Sequence, residues 1–235
     1  LALGKLALLD GEPSMGKSLL TLDVVARLTT GRPFPDGSPA LEPAGAIILH
    51  TEDAADDTVR PRLAALGADL DRVFVGRRDE EHAGVPLGFP RDLPLLDRAL
   101  TRTGARLVVI DPLMAFLPPG VAANLDQCVR RALTPLAGLA ARTRCAVLFI
   151  RHLIKAPHGR AIYRGAGSMG IVAAMRTAWL AAPHPRDHDT RLLAVTKSNI
   201  GRHPTTLGYR IVESAAGLPV IQWMGPVELT ADDVC

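Results

Sequence analysis

Gly11-Glu12-Pro13-Ser14-Met15-Gly16-Lys17-Ser18 fits G-x-x-x-x-G-K-[ST], the pattern of a loop whose backbone N–H groups cradle a phosphate chain. Its glycines let the backbone fold tightly round an anion with no Cβ in the way. Lys17 is placed to reach the β- and γ-phosphates of a nucleotide, and the Ser18 hydroxyl to sit on Mg²⁺. Leu6 to Leu9, ahead of the loop, is a short apolar run that predicts a buried strand. Ser18 to Leu28, behind it, has helical spacing with a broad apolar face. Strand, glycine loop and helix in that order aim a helix N-terminus and its partial positive charge at the phosphates. The expected nucleotide-binding set is Gly11, Pro13, Ser14, Met15, Gly16, Lys17, Ser18 and Leu19.

Outward from the loop, apolar runs and helical segments alternate. Ala46 to His50 predicts a second buried strand, Asp56 to Leu66 a helix closed by Gly67, and Arg72 to Val75 a short third strand. Leu93 to Thr103 reads as a helix and Arg106 to Ile110 as a strand ending at Asp111-Pro112. A long helix is expected from about Asn124 to Arg142, kinked at Pro135, followed by a strand from Cys145 to Ile150. Arg176 to Ala181, Arg191 to Lys197, Tyr209 to Val212 and Pro219 to Trp223 read as four closely spaced strands. Continuous rather than alternating apolar strands, separated by helices, indicate a mostly parallel α/β sheet covered on both faces. The closing run of short strands indicates antiparallel strands at the C-terminal edge. One core over residues 1–223 and a tail over 224–235 are expected.

In such sheets a ligand sits at the carboxyl ends of the strands. Lys17, Glu52, Asp111 and His152 each fall just past the end of an expected strand, so four segments converge on one edge. Asp111 closes Leu-Val-Val-Ile-Asp, an apolar run followed by an acid, and is the expected Mg²⁺ ligand beside Ser18. Phosphoryl transfer to water also needs a carboxylate that orients the attacking water. No Glu follows Asp111, so Glu52, with Asp53 as the alternative, is the expected general base. His152 closes the strand next to Asp111 and is placed to touch the γ-phosphate.

Beyond His152, the segment Lys155 to Gly167 carries Lys155, His158, Arg160, Arg164 and Tyr163. Cations with an aromatic ring suit the backbone and bases of a single strand of nucleic acid, although a solvated loop accounts for them equally well. Arg176, Lys197 and Arg202 are candidate cations for a neighbouring subunit's nucleotide, since an arginine supplied in trans stabilises the charge of phosphoryl transfer.

The bulk numbers set limits. A chain of 235 residues suits one α/β domain with a sizeable core. The net charge is only +3, so nucleic acid has to be met by a local patch. Cys128, Cys145 and Cys235 lack metal or redox spacing, which suits reduced thiols in a cytoplasmic protein. No apolar run approaches the roughly 18 residues of a membrane span, so no membrane partner is expected. The start at Leu1 and the ending Asp-Asp-Val-Cys are those expected of a segment cut from a longer protein.

Taken together, Gly11–Ser18, His-Thr-Glu-Asp at 50–53, Arg-Leu-Ala-Ala-Leu-Gly at 62–67, Leu-Val-Val-Ile-Asp-Pro at 107–112, Phe-Ile-Arg-His at 149–152 and Thr-Lys-Ser-Asn-Ile-Gly at 196–201 resemble a known family. They follow the order found in RecA-fold P-loop ATPases, and the chain is similar to the RepA-like hexameric replicative helicases, AAA-type ATPases of plasmid and phage replication proteins. The resemblance covers nearly all of residues 1–223. It implies a RecA-like core that binds ATP and Mg²⁺ and assembles as a homo-oligomeric ring, usually a hexamer, with ATP at subunit boundaries. It implies Glu52 as catalytic base, Asp111 as Mg²⁺ ligand, His152 as γ-phosphate sensor and Arg176 as arginine finger. Lys197 and Asn199 resemble the segment that faces the next subunit's nucleotide.

The expected function is Mg²⁺-dependent ATP hydrolysis coupled to single-stranded DNA binding and unwinding. A non-translocating ATPase switch or recombination-type regulator is the alternative. A small-molecule kinase is a third reading, for which Arg151 is the one candidate lid cation.

Overall fold

The computed structural model describes residues 1–39, 41–51, 55–76, 87–118, 126–153 and 169–234, with the side chains of 55 and 56 excepted. Nine strands of the described residues form one sheet in the order β3-β2-β4-β5-β1-β6-β7-β8-β9. These are β1 (Leu6–Gly11), β2 (Ala46–His50), β3 (Val73–Val75), β4 (Leu107–Asp111), β5 (Ala146–His152), β6 (Thr177–Pro183), β7 (Arg191–Ser198), β8 (Thr206–Glu213) and β9 (Pro219–Val227). From β3 to β6 every neighbouring pair is parallel. The pairs β6–β7, β7–β8 and β8–β9 are antiparallel. This is the RecA-like P-loop arrangement, a mostly parallel sheet with antiparallel strands at the C-terminal edge.

The helices are α1 (Lys17–Thr30), α2 (Arg60–Ala65), α3 (Leu93–Thr103), α4 (Asp126–Thr143) and α5 (Met169–Ala174). Because successive strand residues face opposite sides, each apolar strand feeds two cores. Leu6, Leu8, Val108, Ile110, Val147 and Phe149 pack with α3, α4 and α5. Ala7, Leu9, Ile48, Val109, Leu148 and Ile150 pack with α1 and α2. Burial on both faces explains why the central strands read as unbroken apolar runs.

Three details differ from the sequence expectation. The helix expected from Asp56 is a π-turn over Ala55–Val59 followed by α2, with Pro61 in its first turn. Proline has no N–H to continue the earlier hydrogen-bond ladder but suits the first turn of a new helix. Helix α4 continues through Pro135 as one element; Pro135 and Arg131, whose carbonyl is left without its donor, are both exposed to water. The last strand, expected over Pro219 to Trp223, runs on to Val227 as β9. Beyond it a 3-10 turn, Ala231–Val234, packs Ala231 against Leu180, Ala182 and Ala194. No helix among the described residues is long and apolar enough to cross a membrane.

Candidate functional site

The loop from β1 to α1 is built on two left-handed positions, Ser14 at φ 66° and Gly16 at φ 76°. Gly16 is also the N-cap of α1. An added Cβ at Gly11 would lie 2.7 Å from the Ala181 carbonyl oxygen, and one at Gly16 would lie 2.6 Å from Ile211 Cδ1. At Gly11 the obstacle is backbone, so a side chain has no room; at Gly16 the Ile211 tip could shift, and it is the left-handed φ that disfavours a side chain. Lys17 is buried, and its Nζ donates to the Glu12 carbonyl at 2.8 Å, which fixes the ammonium across the loop. The first helical bond, Leu20 N–H to the Gly16 carbonyl at 2.8 Å, leaves the N-terminus of α1 directed at the same loop.

Ser18 and Asp111 meet: the Ser18 hydroxyl donates to Asp111 Oδ2 at 2.6 Å. A hydroxyl and a carboxylate side by side are hard oxygen donors, and Mg²⁺ is held by one or two carboxylates together with phosphate and water. The residues therefore fit the ion that the sequence implies. Strand β2 ends beside Asp111, with His50 and Asp111 as register partners and the Thr51 N–H donating to the Asp111 carbonyl at 3.3 Å. Glu52 is the next residue in the chain; it and Asp53 lie outside the described residues. His152 is the register partner of Gly11, and the Leu153 N–H donates to the Gly11 carbonyl at 3.3 Å. Lys17, Ser18, Asp111 and His152 are thus brought to one sheet edge by β1, β4 and β5.

Arg176 is elsewhere. It is exposed, just ahead of β6, and its N–H donates to the carbonyl of Leu6 at the opposite end of β1. The six residues of β1 place it about 17 Å from the phosphate loop of its own chain. The Asn199 N–H donates to the Arg176 carbonyl at 2.9 Å, so these two candidates share that end of the sheet. Lys197 Nζ donates to the carbonyls of Val172 at 2.7 Å and Ala173 at 3.4 Å, at the C-terminal end of α5. Burial, and then the nearby Arg176 charge, lower the Lys197 ammonium below its usual range. Arg202 is exposed. Lys155, His158, Arg160, Tyr163 and Arg164 lie outside the described residues.

The AAA domain family model matches residues 1–158, which is well over half of the chain. The chain belongs to the AAA domain family. It is a P-loop AAA-type ATPase domain, and the matched span holds Gly11–Ser18, Asp111 and His152. Strands β6 to β9 and Arg176 of this AAA domain lie beyond the match. No curated protein matches the chain.

Two features of this AAA domain are not singled out by its motifs. Arg151, the one lid candidate for a kinase, is 1% exposed and ion-paired with Asp10, which holds it inside the sheet between β5 and β1. Burial raises the Asp10 carboxyl above its ordinary value, against the opposing pull of the Arg151 fork and of Lys17. The signal in the sequence is a charge of each sign at the end of an apolar strand, one residue ahead of Gly11 and of His152. Tyr209, in β8, donates its hydroxyl to the Met15 carbonyl at 2.7 Å. The two are 194 positions apart, so local pattern carries no trace of that bond.

Proposed function

We propose that this AAA domain hydrolyses ATP with Mg²⁺ and acts in a ring of identical subunits that moves on single-stranded DNA. Lys17 and the loop amides hold the phosphates, Ser18 and Asp111 hold the ion, and Glu52 orients and deprotonates the attacking water. His152 contacts the γ-phosphate and relays its loss into the segment that follows. When bound, Mg²⁺ neutralises charge on the β- and γ-phosphates. Arg176 reaches the nucleotide of the adjacent subunit.

The observation that carries the ring is the separation of Arg176 from its own loop. An exposed arginine about 17 Å away along β1 is out of reach of its own phosphates, which supports a role at the nucleotide of a head-to-tail neighbour. The DNA coupling is supported by the likeness to RepA-like helicases and by the cations Lys155, Arg160 and Arg164 after His152.

Mixing two inactive variants, Lys17→Ala and Arg176→Ala, tests the ring, because a mixed interface contains one intact site. Recovery of ATPase activity on mixing is expected, and its absence removes the role of Arg176 in trans. ATP turnover with and without single-stranded DNA across a salt series tests the motor. Stimulation that fades steeply with salt indicates released counterions. Turnover indifferent to DNA identifies the ATPase switch instead.

A further inference from the structure

The phosphate loop is held from outside the family-matched span. Tyr209 is 0% exposed and donates its hydroxyl to the Met15 carbonyl at 2.7 Å. Burial pushes this phenol above its ordinary range, so it remains a proton donor at working pH. Among the described residues the cis peptides are Phe89–Pro90 and Asp111–Pro112, so the Met15–Gly16 peptide is trans. In a trans peptide the C=O and the following N–H point in opposite directions. A Met15 carbonyl turned out toward β8 therefore turns the Gly16 N–H the other way, to the inner side of the loop, where a phosphate is met.

Tyr209 is itself anchored. Its ring lies 5.8 Å from that of Trp223 on β9, tilted by 51°. Trp223 Nε1 donates to Asp23 Oδ2 on α1 at 2.9 Å. Ile211, two residues along β8 and hence on the same face, fills the space beside Gly16. Strands β8 and β9 thus hold the loop at Met15, at Gly16 and through the helix that follows it.

From this geometry we infer that Tyr209 is a positioning residue of the nucleotide site, orienting the Gly16 N–H toward the phosphates by fixing the Met15 carbonyl. The inference rests on the phosphate-loop reading of Gly11–Ser18. It predicts that Tyr209→Phe, which keeps the ring and removes the hydroxyl, weakens binding of Mg²⁺–ATP and of Mg²⁺–tripolyphosphate by the same factor. Loss of one net hydrogen bond corresponds to about five-fold. The expected kinetic signature is a raised KM with kcat changed less than roughly twofold, since the loop serves ground state and transition state alike.

Calorimetric titration of the wild type, Tyr209→Phe and Lys17→Ala with Mg²⁺–tripolyphosphate separates the possibilities. Weaker binding in Tyr209→Phe and none in Lys17→Ala supports the inference. Equal affinity in wild type and Tyr209→Phe, even with a lower melting temperature, overturns it and leaves the phosphate loop standing. Binding that is absent in the wild type, or that survives Lys17→Ala, overturns the phosphate-loop reading and this inference with it. Should Tyr209→Phe not fold, the wild type labelled with 3-fluorotyrosine suffices. Of the two tyrosine signals, the one lost in Tyr163→Phe belongs to Tyr163, which assigns the other. A Tyr209 signal that moves in step with tripolyphosphate binding supports the inference, and one that stays fixed at saturation overturns it.

Discussion

Arg151 grips Asp10 with two bonds, Nε to Oδ1 and Nη2 to Oδ2, both 2.7 Å long. The two are register partners on β5 and β1, and each immediately precedes a site residue, His152 or Gly11. A bidentate guanidinium–carboxylate pair is stiff and directional. It locks the strand that carries the phosphate loop to the strand that carries the histidine.

Breaking that pair exposes a large cost, because the surviving charge stays buried after losing its bidentate ion pair. Asp10→Asn and Arg151→Met are each expected to lose about 3–5 kcal/mol of folding stability. The double variant Asp10→Leu/Arg151→Met is expected to recover much of that loss, since an apolar pair of similar volume fills the space. Urea unfolding of the four proteins checks this. Single variants as stable as the wild type would show the pair to be energetically idle.

Binding and turnover should separate at two residues. Lys17→Ala is expected to abolish ATP binding as well as hydrolysis, because the ammonium fixed across the loop is gone. Glu52→Gln is expected to leave affinity within about threefold and to reduce turnover by at least about 100-fold, the scale of general-base catalysis. Equilibrium binding and steady-state ATPase assays measure both. Near-normal turnover in Glu52→Gln would move the base to Asp53.

Acid sensitivity has an identifiable contributor in the turn between β6 and β7. Asp187 accepts from the Thr190 hydroxyl at 2.7 Å, from Arg210 Nη2 at 3.0 Å and from the Asp189 N–H at 3.0 Å. These bonds, that of Thr190 foremost, hold its carboxyl down at about 2. The folded value lies below the unfolded one of about 3.9, so the stabilisation is complete above about pH 4 and is lost as pH falls toward 2. The stability gap between wild type and Asp187→Asn is therefore expected to close over that window. A gap unchanged from pH 6 to pH 2 in chemical unfolding would contradict it. The carboxylate is exposed, so added salt should shrink the gap as well.

Thiol chemistry should discriminate between two cysteines. Cys145 is fully buried, and its thiol is pushed up to about 12 by burial, against the weaker opposing pull of Arg106. Cys128 is half-buried. Alkylation at pH 8, read by mass spectrometry, should reach Cys128 in the native protein and Cys145 only with unfolding. Labelling of Cys145 at the native rate of Cys128 would mean that β5 opens locally.

Sequence and structure agree most closely where local chemistry dictates the outcome. Gly11–Ser18 with its flanking strand and helix, and Asp111 at the end of an apolar run, are local patterns, and each has the expected neighbours. The meeting of Ser18 with Asp111 follows from the parallel topology, which gathers strand ends at one edge. Helix α5, only six residues long, has too little sequence to show a period. The interruption at Pro61 is a backbone effect that an apolar repeat does not register. That Asp10 pairs with Arg151, and Tyr209 with Met15, is not legible for another reason. Each joins residues more than a hundred positions apart, and their meaning depends on strand order, which no local pattern specifies.

Strand order also sets a timetable for the nascent chain. Strand β1 is the first made, yet it lies between β5 and β6. Asp10 and its partner Arg151 are 141 residues apart. At about 5–20 residues per second, the ribosome takes roughly 7–30 s to supply that first neighbour. Until then Leu6–Gly11 is an apolar strand with two open edges, which invites a chaperone or a wrong partner. The contact from Tyr209 arrives later still. Non-local pairing of this kind slows folding, and a nucleotide cannot stabilise a cradle whose walls have not been synthesised. ATP binding would thus report that synthesis has passed β8, and translation that stalls before β5 would leave the phosphate loop with no framework to hold it.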